Sequence, residues 1–231
     1  MSARPALTGT GALLLFALRR DRVRLPVWVA GGALLVVVQS VAAQSTYDSP
    51  GSLAAYRASV GSNAASIALA GPPVGLDTIA GTVAFEMATP LAVVAALMVM
   101  FTTVRHTRAD EELGRTELVR STRIGRHAPL AAAAGVAALA SAALGAAIGG
   151  GATASGLPAT GAFVLGASAT ATGLVFTGLT ALAAQVVSTA RGVHGLVGAA
   201  RGLPGAAGDR RRRGQRPVLG LSGGWAQASH P

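Results

Sequence analysis

The chain has 231 residues, 51% of them hydrophobic, 12% charged and 4% aromatic, with no cysteine and a formal net charge of +10. Soluble domains carry charge on roughly a quarter of their residues, so an ordinary globular fold is excluded. The lack of cysteine excludes a disulfide scaffold, thiolate catalysis and thiolate metal sites. All 19 basic residues are arginine, and they cluster beside apolar runs rather than among aromatic stacking residues. That pattern fits membrane topology and argues against nucleic acid as a partner.

Taken in chain order, the first apolar run, Ala12 to Leu18, is seven residues long, too short to cross a bilayer. It ends in Arg19, Arg20, Asp21, Arg22 and Arg24 rather than in a small-residue cleavage site. Residues 1–24 therefore read as an N-terminal segment whose amphipathic helix, Thr8 to Arg22, lies on the inner membrane face. The first span is Leu25 to Ala43, opened by Pro26 and by Trp28, an aromatic suited to the headgroup boundary. Residues 44–80 are more polar, with Ser49, Pro50 and Gly51 and then Gly71, Pro72 and Pro73 as turn chemistry. The second span is Gly81 to Val104. Ala128 to Ala190 is a run of 63 residues without an acid, lysine or arginine. It holds two more spans, Leu130 to Ile148 and Phe163 to Val187, with Gly149 to Ala159 as the tight connection. The expectation is an all-α, multi-pass protein with a four-span transmembrane domain at 25–190. Gly145 and Gly149 stand in a GxxxG relation that lets helices approach closely.

Arginine counts set the orientation. Residues 1–24 carry five, 44–80 one, 105–127 six and 149–160 none. This alternation places the N-terminus and the 105–127 loop in the cytoplasm and the 44–80 loop outside. Glu86 is the only ionisable residue inside a proposed span, which makes it a candidate intramembrane polar site. It lies about 7.5 Å along a helix from Gly81, within reach of the outer interface. Pro90, one turn further in, is a candidate kink.

The segment from Thr107 to His127 holds nine of the 28 charges in 21 residues. Thr107 or Asp110 suits a helix start, the acids come mostly early and the arginines mostly late, as the helix dipole favours. Glu111 and Glu112 precede Arg115 by four and three residues, and Glu117 precedes Arg120 by three, which supports a helix from Ala109 to Ser121. Topology alone needs no acids in such a loop. Their interleaving with arginine marks a docking surface, against the simpler reading of a solvated hairpin.

An apolar span that runs into Val104 to Arg120, followed by Gly125 to Leu130 and an alanine-rich span, resembles the permease subunits of actinobacterial ABC-2 type exporters. The group concerned takes in exporters of polyketide antibiotics, including tetronasin-type transporters. Shorter stretches share the resemblance: Leu7 to Gly11, Arg19 to Leu25, Gly75 to Thr78, Thr189 to Val193 and Gly224 to Gln227. The resemblance implies that the 105–127 loop carries a coupling helix resting on a separately encoded cytoplasmic ATPase. Glu111, Glu112, Gly114, Arg115, Glu117 and Arg120 are the implied contacts, with the N-terminal helix beside them. It further implies a bacterial plasma-membrane permease without enzymatic activity or cofactor, whose partners are that ATPase, membrane lipid and an amphiphilic small-molecule substrate.

Residues 191–231 form an irregular basic segment. Arg201 to Gly223 holds six arginines and one aspartate in 23 residues where the resembling family continues through a fifth span. We read that stretch as translated out of frame and the chain as a truncated copy; the alternative is a natural basic tail at anionic lipid. Gly9 to Gly11 is no nucleotide loop, four scattered histidines show no ligand spacing, and Gly220 to Gly224 has no placed base for a serine nucleophile. No catalytic or metal-binding residues are therefore expected. The readings left beside the exporter are a membrane scaffold that recruits a cytoplasmic protein, and an inactive permease remnant.

Overall fold

The structure is a computed structural model and describes residues 6–107, 125 and 127–186. These residues form seven helices and, among them, no strand: α1 (Thr10–Arg20), α2 (Arg24–Thr46), α3 (Pro50–Gly61), α4 (Ala64–Ala70), α5 (Ile79–His106), α6 (Ala128–Ala154) and α7 (Ala159–Val186). Four of them, α2, α5, α6 and α7, are long and apolar enough to cross a bilayer, as the uncharged runs predict. The irregular segment at 191–231 lies outside the described residues.

The long helices alternate in direction. Trp28 stacks on Phe101 with ring centroids 6.3 Å apart at one end of α2 and α5, and Gln39 meets Glu86 nearer the other. α5 and α6 form the centre: each packs on the other and on both α2 and α7, while α1 packs on α6. Burial follows this order, with half of the most apolar stretch of α5 and of α6 buried but only 17% of that of α2. The apolar outer face of α2, including Val27, Leu34, Val38 and Val41, is exposed, as suits a helix whose solvent is lipid.

Small residues make the centre possible. Gly145 on α6 lies against the backbone of Gly166 on α7, and a Cβ added to either would overlap the other's carbonyl. Gly149 takes the ring of Phe163, and Gly173 takes Ser141. Without Cβ atoms the two backbones meet directly, which in lipid supplies the dispersion contacts that hydrophobic burial supplies in water. The GxxxG pair of the sequence is thus a true helix seam.

Two local expectations change. Gly149 to Gly151 do not form the connection but continue α6 to Ala154, because α7 packs on Gly149 and the side chain of Val37 lies over Gly151. The connection is Ser155 to Pro158. It closes as a Schellman motif: Gly156, at φ +93°, donates to Thr153 O (3.0 Å) and Leu157 donates to Ala152 O (3.2 Å). Pro158 cannot continue the preceding helix ladder. Gln44 ties α2 to this turn by donating to Ser155 O at 2.8 Å.

The 44–80 loop holds two short helices where turns were expected. Ser49 and Asn63 accept from the first free amides of α3 and α4, and Pro50 occupies the first turn of α3. Residues that read as turn formers act here as caps, for the same reason: their side-chain oxygens satisfy orphan N–H groups. Thr89 on α5 holds α4 through Leu69 O at 2.8 Å. α1, residues 105–107 and residues 125 and 127 gather at one end of the bundle and α3, α4 and the α6–α7 turn at the other, in step with the arginine alternation.

Candidate functional site

The arginine-rich end is built around Asp21. Asp21 caps α1 by donating its N–H to Ala17 O, at the elbow before α2, and is 2% exposed. A buried carboxylate persists only with charged or hydrogen-bonding partners. Both come from the last turn of α5: Arg105 Nη1 lies 3.2 Å from one Asp21 oxygen, and His106 Nε2 donates to the other at 2.6 Å. Arg105 stands at the C-terminal end of α5, where the helix dipole also favours positive charge. Thr107 closes α5 by bonding its hydroxyl back to Thr103 O at 2.8 Å; the helix start expected after it lies outside the described residues.

The far root of the 105–127 loop is held as well. Gly125 N–H donates to Thr8 O (2.9 Å) and His127 N–H to Ala6 O (3.1 Å). A side chain at Gly125 would strike Ala6, so only glycine fits that approach. The N-terminal segment thus grips the charged loop at both of its roots. Glu111, Glu112, Gly114, Arg115, Glu117 and Arg120 lie outside the described residues. Asp21 was not singled out from the sequence; the available signal was one acid inside a cluster of arginines that membrane topology does not require.

The opposite end is built around Glu86, half-buried on α5. Gln39 on α2 donates Nε2 to its carboxylate. Tyr47, the residue that ends α2, and Tyr56 on α3 stand near enough to feel the charge of the same carboxylate, and the two rings sit 5.1 Å apart at 54°. Glu86 thus meets a protein partner on one side and keeps partial exposure. Pro90 lies within the unbroken α5; lacking an N–H, it leaves the Glu86 carbonyl without its helical donor. Beside Tyr47 opens a groove of ≈ 790 Å³ whose lining includes apolar Pro50, Leu53 and Leu76 and charged Asp48, Asp77 and Arg57.

Burial and the negative charge of Glu86, with hydrogen bonding to it, push the ionisation of Tyr47 above its ordinary 10.0; burial, hydrogen bonding to Glu86 and the charges of Glu86 and Tyr47 raise Tyr56 further. A raised phenol pKa means that the folded state holds its proton more tightly than the unfolded chain does. The cluster's contribution is complete below pH ~10 and is lost as pH rises through the folded values. The chain has two tyrosines in all. A tyrosinate absorbance titration should show both ionising later in the folded protein than in denaturant, and Glu86→Gln should move both midpoints down. Ionisation of both at the unfolded value would disprove the cluster.

No protein-family profile matches the chain. Over 127 residues it is 42% identical to a multidrug efflux system permease protein of Mycobacterium tuberculosis. The match takes in 54% of this chain and 23% of that protein's length.

Proposed function

We propose that the chain is the permease part of an ABC-2 type exporter of hydrophobic or amphiphilic small molecules, of the polyketide-antibiotic class, in a bacterial plasma membrane. The observation that carries this is the 42% identity to an efflux permease over more than half of the chain. The four apolar helices and the grip on the charged loop support it. In this reading the permease hydrolyses nothing. A separately encoded cytoplasmic ATPase docks on Glu111, Glu112, Gly114, Arg115, Glu117 and Arg120, and its closure moves the loop. Because Asp21 holds Arg105 and His106 at one root and Thr8 holds Gly125 at the other, loop motion is delivered to the elbow between α1 and α2. Rigid coupling of that kind requires packed, hydrogen-bonded attachments at both ends of the moving element.

The test is co-expression with a candidate partner ATPase from the same genome. The wild-type chain should co-purify with the ATPase and stimulate it in the presence of substrate. Glu111→Arg and Arg115→Glu should each reduce stimulation at least tenfold while the bundle stays folded. Normal export by the double reversal would defeat the proposal.

A further inference from the structure

The Glu86 cluster holds an acid whose partners are all neutral. Gln39 donates an amide to it, the uncharged Tyr47 and Tyr56 stand near it, and among the described residues no cation pairs with it. Thr82, four residues earlier and so on the same face of α5, buries a hydroxyl with no hydrogen-bond partner. A half-buried carboxylate attracts positive charge more strongly than one in bulk water. Two tyrosine rings stand beside it, 5.1 Å apart and tilted, and aromatic faces attract cations that lack strong hydration. The adjoining groove shares Tyr47 and is lined by apolar side chains together with two acids and one arginine. Its ≈ 790 Å³ falls in the range that holds a drug-sized molecule.

We infer that this end of the bundle recognises amphiphilic organic cations: Glu86 supplies the opposite charge, the Tyr47 and Tyr56 rings contact the cationic centre, and the groove takes the apolar body. Gln39 satisfies the carboxylate when the site is empty and yields to the cation by a rotamer change. The phenols stay protonated across the working pH range, so they remain neutral and do not compete with Glu86 for the ligand. As a substrate class, organic cations rest on the exporter reading. Binding at the site does not, since it needs no ATPase.

The probe is tetraphenylphosphonium, with triphenylphosphine oxide as its neutral counterpart, titrated into the full chain in lipid nanodiscs. The cation should bind at least tenfold more tightly than the oxide. Glu86→Gln should weaken the cation at least tenfold and leave the oxide unchanged; Tyr56→Leu should weaken it several-fold and Tyr56→Phe only slightly. In the unaltered protein, binding should perturb tyrosine absorbance, a readout that holds even where a variant folds poorly. Equal affinity for cation and oxide, unchanged cation affinity in Glu86→Gln, or a silent tyrosine spectrum would each overturn the inference. Cation binding with export indifferent to the loop reversals leaves this site standing and removes the ATPase reading; the converse result removes this site alone.

Discussion

Asp21→Ala should lower the stability of the chain by about 3 kcal/mol, the cost of leaving a buried cationic partner without its counter-charge. The residue is 2% exposed, and its two partners retain only 24% and 6% of their side-chain accessibility, so water replaces little of the lost interaction. Asp21→Asn keeps the shape and one acceptor and should cost less. Removing both charges together, as Asp21→Asn with Arg105→Gln, should recover part of the loss, since the penalty lies in the unpaired ion rather than in the absence of the pair. The measurement is thermal unfolding in one detergent, together with hydrogen exchange at the α1–α2 elbow. Exchange should accelerate there and in the last turn of α5, while the Gly145–Gly166 seam stays protected. A variant melting with the wild type would mean that the pair is solvated and holds nothing.

Gly145→Ala should destabilise the protein by about 2–3 kcal/mol, because overpacking at a backbone contact cannot be relieved by a side-chain rotation. The new methyl would meet the Gly166 carbonyl and the Thr170 hydroxyl. Thr170 also donates to Ser141 O at 3.1 Å, so separating the helices breaks that bond too. Gly150 supplies the control on the same helix: nothing lies within 4 Å of a Cβ there, and Gly150→Ala should be neutral or stabilising by about 0.5–1 kcal/mol through helix propensity. Opposite signs at positions five residues apart are the expected outcome in thermal unfolding. Equal effects would show that glycine content alone, and not the seam, governs α6.

What the sequence determined by itself was the part of the architecture that depends on one helix at a time. A span is a run of about twenty uncharged apolar residues, because lipid offers no partner for charge or for free backbone groups, and such runs are visible without knowing what packs beside them. Arginine placement likewise reports the alternation of ends directly. The Gly145 and Gly149 spacing was legible because both residues lie on one face of one helix.

The tertiary structure decided what depends on pairs of distant residues. Whether Gly149 to Gly151 end a helix or continue it rests on Phe163 and Val37, which no local propensity includes. Ser49 and Asn63 serve turns and helix caps with the same oxygen chemistry, so only the following chain direction separates the two uses. Asp21 looked like one charge in a basic cluster until α5 brought Arg105 and His106 to it from 84 and 85 residues away. Glu86 was legible as an acid inside a span, but only the fold set Gln39, Tyr47 and Tyr56 beside it. In both cases the energy of the charge is set by what surrounds it, and surroundings are a property of the fold.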